Sequence, residues 1–300
     1  MPNSKDIKNR IASIQNTKKI TKAMKTVAAA KVKKAESTVK AARPFADELL
    51  FLCRKMITRV DEISVSGLKV TRGLDNFPVL LEKREVKTEG LLVITSNKGL
   101  AGAYNSNIIK TAFKRIKEND DKGIKTVVYT VGQKATSAFK NKKVGELRKS
   151  YIAVANEPTA IGSNLIAEDI CEDFVNHGID RIEVITTHFN NMMSYNIVNW
   201  EILPVKIEKI GKEELTPVME FDPSPNGVLQ QLIPMYITNS IYQALLEANA
   251  SELASRMTAM SAASNNAEEM ITTLTIDYNK ARQAAITQEL VEIVSGAQAI

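Results

Sequence analysis

LEANASELASRMTAMSAASNNAEEMITTLTIDYNKARQAA, residues 246–285, decides the fold. Leu246, Ala250, Leu253, Met257, Met260, Ser264, Ala267, Ile271, Leu274, Tyr278, Ala281 and Ala285 follow one another in alternating steps of four and three. That spacing keeps one stripe of a helix facing a partner helix, and the seam is longer than an ordinary packed helix needs. Near the other end of the chain the same step links Ala28, Val32, Ala35, Val39, Ala42, Ala46, Leu49, Cys53, Met56 and Val60. The two stripes predict arms that zip together. One arm runs into the middle of the chain and the other runs out of it, so the pairing is antiparallel. At about 1.5 Å per residue, roughly 60 to 70 helical residues give an arm on the order of 90 to 100 Å long, a rod carrying a knob.

Between the arms the period changes. Leu91 to Ser96, Thr126 to Val131, Tyr151 to Val154 and Arg181 to Thr187 are short β-rich runs, with Tyr195 to Val205 as a fifth, terminal strand. Helical patterns around Ser106 to Lys117, Lys134 to Lys140 and Ala160 to His177 separate them. Strands alternating with helices imply a parallel sheet with helices on its faces. The expected fold class is therefore α/β: a long antiparallel coiled coil of the N- and C-terminal helices plus a Rossmann-like domain with a parallel β-sheet. The expected domains are a coiled-coil helix at 1–62 with a possible break at Pro44, the α/β domain with its connecting segments at 63–208, and a linker with the second coiled-coil helix at 209–300. Ile63 to Glu89, with Gly67, Gly73 and Pro78, reads as a mobile connection, and Lys206 to Gly227 as a polar one.

Composition narrows the classes. Three hundred residues, 44% hydrophobic and only 5% aromatic, suit closely approaching Ala-lined helices better than one bulky interior. Residues 1–10 carry charge at once and hold no apolar signal core. The uncharged stretch Pro223 to Leu246 contains Asn226, Gln230, Gln231, Pro234, Asn239 and Gln243, which makes a membrane span too costly. Residues 1–40 hold eleven Lys/Arg against Asp6 and Glu36, while residues 241–300 hold three against seven acids, local charges of +9 and −4. The arms attract each other, and the first keeps positive charge for an acidic partner.

Chemistry-bearing residues are sparse. Thr95-Ser96-Asn97-Lys98-Gly99-Leu100-Ala101-Gly102 is a glycine loop after a strand, where nucleotide folds cradle phosphate. Its spacing fits neither the dinucleotide fingerprint nor a phosphate-binding loop, so a tight strand-to-helix turn is the better reading of both glycines. His177, at a helix end, and His188, after a strand, suit capping and packing. Cys53 and Cys171 match no metal or redox spacing and read as small buried hydrophobes. The basic first arm lacks stacking aromatics before Pro44, which favours a solvated or partner-facing helix over a nucleic-acid contact. Ile286, Leu290, Val291, Ile293, Val294, Ala297, Ala299 and Ile300 make the last turns apolar on most sides. Such a helix must be buried, and since the arm overhangs its partner there, an external sleeve is expected; deleting Ser295 to Ile300 should weaken assembly without melting the middle domain.

Three separated segments carry a family resemblance: Arg10-Ile-Ala-Ser-Ile-Gln-Asn-Thr-Lys-Lys-Ile-Thr-Lys-Ala-Met24 with Val27-Ala-Ala-Ala-Lys31; Ile94-Thr-Ser-Asn-Lys-Gly-Leu-Ala-Gly102; and Ser251-Glu-Leu-Ala-Ser-Arg-Met-Thr-Ala-Met260 with Tyr278-Asn-Lys-Ala-Arg-Gln-Ala-Ala-Ile-Thr-Gln-Glu289 and Glu292-Ile-Val-Ser-Gly296. The chain resembles, over its whole length, the gamma subunit of F-type ATP synthases of the bacterial type. The central segment departs from the family's usual Asp-Arg before Gly-Leu and from the Cys often found where Ala101 stands.

The resemblance implies a central-stalk rotor that carries the rotation of a membrane ring to catalytic beta subunits and couples ion (proton) translocation to ATP synthesis or hydrolysis. It implies a non-catalytic subunit without cofactor or metal. Its partners would be the alpha and beta subunits of the catalytic hexamer, the epsilon subunit and the c subunits of the ring, with no nucleic acid. Its place would be peripheral, on the cytoplasmic face of the bacterial plasma membrane. By motif, Met24 falls where the shaft meets an acidic loop of beta, and Arg256, Arg282, Gln283, Thr287 and Glu289 fall at polar contacts with the hexamer. The cysteine-bearing insertion of the photosynthetic kind is absent between Val205 and Phe221, so thiol control is not expected. The rival readings are a Rossmann-like nucleotide-binding enzyme and a basic coiled-coil nucleic-acid-binding protein.

Overall fold

A computed structural model describes residues 4–60, 77–206 and 225–298. The chain divides into two compact units, Lys31–Ser255 and the pair formed by Met1–Ala30 with Arg256–Ile300. Two helices run through both, α1 at Ser4–Val60 and α6 at Pro225–Gln298. Neither Pro44 nor Pro234 ends its helix. Most of the connections read at 63–89 and 206–227 fall outside the described residues.

In the larger unit, a short helix α2 (Phe77–Leu80) precedes β1 (Thr88–Ile94), α3 (Tyr104–Asp120), β2 (Lys125–Val131), α4 (Gln133–Lys142), β3 (Glu146–Tyr151), α5 (Ala160–Val175), β4 (Arg181–Asn191) and β5 (Ser194–Leu203). The five strands lie in the order β3-β2-β1-β4-β5. β1 to β4 are parallel, as alternation with helices requires. β5, the terminal strand whose direction the sequence reading left open, is antiparallel to β4: the turn between Asn191 and Ser194 is far too short for a crossover.

The third strand is also displaced from its predicted place at Tyr151 to Val154. It occupies Glu146–Tyr151, and Ala153–Ala155 forms a 3-10 turn instead. The strand was hidden because it lies at the sheet edge, where Glu146, Lys149 and Ser150 stay exposed and only Tyr151 is buried.

Each face of the sheet buries a separate core. Leu91, Val93, Val128 and Ile185 point to α3 and α4 and meet Ile108, Ala112, Ile116 and Phe139. Leu92, Ile94, Val127, Tyr129 and Val184 point the other way, toward Ile166, Ile170 and Phe174 of α5. That second core also takes in Cys53 and Met56 of α1 and Ile233, Ile237 and Ile241 of α6. The lower part of the apolar stripe on α1 is thus domain core as well as helix seam. Further along, Val32 and Val39 cluster with Leu246, Ala250 and Leu253, so α1 and α6 are antiparallel here.

A buried charge cluster ties β1 to its neighbours. The Glu89 carboxylate, without exposure, accepts Nε and Nη2 of Arg115 at 3.0 Å each and pairs with Arg181. Arg115 Nη2 also reaches Glu183 at 2.6 Å. Burial, then the charge of Glu89, raises the Glu183 carboxyl above its ordinary range. Two carboxylates are tolerated so close because two guanidinium groups separate them. Glu89→Ala should therefore cost about 3 kcal/mol by leaving two mostly buried cations short of a counter-charge. Urea denaturation of the isolated chain checks this; a change below about 1 kcal/mol would mean the cluster is solvated.

Candidate functional site

The smaller unit holds most of the residues assigned to partner contact, so its pairing is the geometry to establish. Lys18 Nζ of α1 meets Glu268 of α6 at 3.0 Å. Asp6, Ile7 and Arg10 share the wall of an open cavity of about 530 Å³ with Leu274, Asp277, Lys280, Ala281 and Ala284. Rising numbers on α1 meet falling numbers on α6, so this pairing is antiparallel as well.

Burial repeats the predicted step on α6. Met260 and Ala267 are buried, and Ser264, Ile271, Leu274, Tyr278 and Ala281 are half-buried between exposed neighbours. On α1 the stripe continues below Ala28 through Thr21, Lys18, Ile14, Ile11 and Ile7. Lys18 and Thr21 carry no apolar signal of a seam; Thr21 stands one heptad before Ala28, while the heptad step from Val32 passes through the exposed Lys25 before it reaches Lys18. The Thr21 hydroxyl is buried at no cost in lost hydrogen bonding, since it donates to the carbonyl oxygens of Thr17 and Lys18 at 3.1 Å.

The seam ends at Ala281. Ala285 is exposed, and so are residues 282–291, Ile293 and Val294. Helix α1 starts at Ser4, and among the described residues no helix lies beside the last turns of α6. Ile286, Leu290, Val291, Ile293 and Val294 stand 48 to 67% exposed on adjacent ridges of the helix. Ala297 lies in α6 without described burial, and Ala299 and Ile300 lie outside the described residues.

The six assigned residues are not one cluster. Met24 is half-buried on α1 and sits among the exposed Lys19, Lys22 and Lys25. Arg256 is half-buried on α6. Arg282, Gln283, Thr287 and Glu289 are exposed on the unaccompanied turns, with the Thr287 hydroxyl donating to the Gln283 carbonyl oxygen at 2.9 Å. From Arg256 to Arg282 the helix advances by roughly 40 Å, so the assigned contacts form two separate levels of one axle.

The glycine loop of the larger unit is bonded to the neighbouring helix. At the N-terminus of α4, the Gln133 N–H donates to Asn97 Oδ1 at 2.8 Å, the Lys134 N–H to Ser96 O at 3.1 Å and the Ala135 N–H to Thr95 Oγ1 at 3.0 Å. These are the first backbone donors of α4, and the Thr95-Ser96-Asn97 segment satisfies them, so the loop serves to join β1 to the neighbouring helix. Of the two glycines, Gly102 takes a positive φ of 54°, whereas the second left-handed residue of the turn is Leu100 at 61°, not Gly99.

The crevice at the carboxyl ends of the strands, where open α/β sheets receive ligands, is filled by α6. Leu245, Ala248, Asn249 and Glu252 close on Thr95, Ser96, Tyr104 and Val154 and leave about 10 Å³. That is room for a single water at most. The Tyr104 hydroxyl donates to Ala248 O at 3.0 Å, and the Ser255 hydroxyl to Ala101 O at 2.8 Å.

The remaining candidates have structural surroundings. His177 adopts φ 57° just past α5, where its own N–H reaches Phe174 O and that of Gly178 reaches Asp173 O, a paired closure of the helix end. His188 lies within β4, not after the strand, and its Nδ1 meets Glu247. Burial pushes the Cys53 thiol up to about 11 and the Cys171 thiol higher still, so neither is a ready thiolate near neutral pH. Among the described residues no group of three or more His, Cys, Asp or Glu is placed to hold a metal. No described helix is long and apolar enough to cross a membrane.

Known proteins match this arrangement. A family model described as ATP synthase covers residues 3–300. The chain is 39% identical to the ATP synthase gamma chain of Crocosphaera subtropica and 41% identical to that of Nostoc punctiforme, across the full length of each pair. Among solved structures, the central stalk and c-ring of Tetrahymena thermophila mitochondrial ATP synthase contains a similar chain, with a TM-score of 0.59 and 26% identity over 82% of this chain and 99% of that one. A chain of the Euglena gracilis mitochondrial enzyme shares the fold, with a TM-score of 0.56 at 18% identity, over 92% of this chain and 94% of that one. End-to-end coverage by the family model and by curated relatives near 40% identity shows that the chain belongs to the ATP synthase gamma chain family.

Proposed function

We propose that the chain is the central-stalk rotor of an F-type ATP synthase, turning with a membrane ring inside a hexamer of alpha and beta subunits. The chemistry belongs to the beta subunits. This chain supplies a rotating asymmetry: a partner shifts a conformational equilibrium only through unequal contact with the competing states, and an axle whose two helices differ in charge, +9 over residues 1–40 and −4 over 241–300, presents a different face to each beta in turn. Support comes from family membership and from the unaccompanied apolar turns of α6, which need an external apolar sleeve.

Within that reading, Met24 and the exposed Lys19, Lys22 and Lys25 meet an acidic element of beta. Arg256 makes one level of polar contact with the hexamer, and Arg282, Gln283, Thr287 and Glu289 make another. The α/β domain meets the epsilon subunit and the c ring, and the complex lies on the cytoplasmic face of the bacterial plasma membrane. The division into a first helix to residue 62, an α/β domain to 208 and a second helical arm follows the same functional logic. The nucleotide-enzyme alternative is disfavoured by the filled crevice.

Reconstitution with alpha and beta subunits tests the proposal. Sustained ATP hydrolysis should depend on this chain, while the chain alone hydrolyses no ATP and binds none stoichiometrically. Undiminished turnover in its absence would overturn the reading.

A further inference from the structure

We propose that Glu247 is the positioning residue that locks both helices of the axle to the α/β domain, so that torque leaves that domain at a fixed helix register. The inference rests on the rotor reading and adds a specific route for the load. Glu247 of α6 is only 7% exposed, and its carboxylate is the meeting point of three elements. From α1, Arg43 brings Nε and Nη2 to Oε1 at 3.3 and 3.2 Å. From β4, the Phe189 N–H reaches Oε2 at 3.3 Å and His188 Nδ1 meets the same oxygen. Gln243 Nε2, one turn earlier on α6, donates to Oε1 at 2.9 Å. Arg43 closes the triangle by donating from Nη2 to the Phe189 carbonyl oxygen at 2.9 Å. Strand, first helix and second helix are therefore each bonded to the other two.

The position gives this cluster its mechanical role. The same helices α1 and α6 that pack on the sheet continue past Lys31 and Ser255, so a twist applied to the α/β domain is carried onward by them. Around Glu247 the apolar cluster shared by the two helices is made by Val32, Val39, Leu246, Ala250, Leu253 and Ala254, with Ala35 and Ala42 beside them. Apolar packing of this kind holds the helices together without directional bonds. Hydrogen bonds to an ionised carboxylate do carry direction and are the stronger kind. Glu247 accordingly adds to the packed seam a directional lock on the register of α1 against α6 and of both against β4.

The test uses the assembled complex with its membrane ring, reconstituted in vesicles, and reads ions pumped per ATP hydrolysed. Glu247→Gln preserves shape but turns one acceptor into a donor, and either orientation of the amide then faces existing N–H groups. Arg43→Lys keeps the charge and removes the fork that spans Phe189 and Glu247. Tyr104→Phe is the control: it deletes the bond to Ala248 on the same stretch of α6 without touching α1. Both cluster variants should lower the pumping ratio about threefold or more while hydrolysis stays within about twofold, and the control should keep the ratio.

An unchanged ratio in Glu247→Gln, or an equal fall in Tyr104→Phe, overturns the proposal. So does failure of both cluster variants to assemble while the control assembles, since the cluster would then serve folding alone. If the unmodified chain supports neither hydrolysis nor pumping, the rotor reading itself fails.

Discussion

Gly132→Ala should destabilise the α/β unit by about 4 kcal/mol, a fall in Tm of roughly 10 °C. Gly132 links β2 to α4 at φ 92° and ψ 147°, a conformation nearly closed to residues with a Cβ. A methyl group there would lie 2.4 Å from the Thr95 carbonyl oxygen and 2.8 Å from its carbon. Those are backbone atoms at the end of β1, so no side chain can rotate out of the way. The strand end would have to move, and with it the three acceptors at Thr95, Ser96 and Asn97 that close the α4 terminus. Gly123 provides the contrast, with φ 71° and nothing within 4 Å of an added Cβ. Gly123→Ala should cost only about 1 kcal/mol, the conformational part alone. Thermal melting of both variants checks the pair; equal losses would mean that close packing against Thr95 is not what fixes the glycine.

The same loop shows where sequence reasoning stops. Thr95 to Gly102 offers the residue types of a phosphate cradle, and its irregular glycine spacing argued against one. The actual use of Thr95, Ser96 and Asn97 depends on residues near 133 lying alongside, a parallel β1–β2 neighbourhood that local spacing does not encode. The helical arms were legible because a step of four and three over many turns permits no other exposure pattern, and burial on α6 follows it as far as Ala281. The polar members Lys18 and Thr21 escaped because their burial depends on neighbours: Glu268 neutralises one, and backbone carbonyls satisfy the other. β3 escaped because an edge strand needs charge more than hydrophobicity. The turning of β5 against β4 follows from the short link at Asn191 to Ser194, which leaves no room for a crossover. The Glu247 cluster joins Arg43 to a residue 204 positions away, and nothing local to Arg43, or to His188 read as a packing residue, encodes that meeting.

Deleting residues 286–300 should lower the affinity of the chain for the alpha and beta subunits by about tenfold or more and leave the melting of the isolated chain within about 2 °C. In the isolated chain Ile286, Leu290, Val291, Ile293 and Val294 are 48 to 67% exposed, so removing them takes away little packing. In a hexamer that encloses these turns, each side chain could contribute about 1.5 to 3 kcal/mol on burial. Much of the sum is offset by ordering and by imperfectly paired polar groups, which is why the expected loss is a decade or two rather than the product of five full burials. Charge offers a separate handle on the same contact. Arg282→Ala and Glu289→Ala alter exposed polar side chains on this part of the axle and should each change affinity by less than about threefold, with the larger response at low salt. Titrating fluorescently labelled chain into alpha and beta subunits, alongside calorimetry of the chain alone, separates the cases. Unchanged affinity after truncation would mean that the apolar turns are not enclosed by the hexamer. A matching drop in the isolated chain's melting temperature would mean that they stabilise the chain itself, and the sleeve would then lose its physical basis.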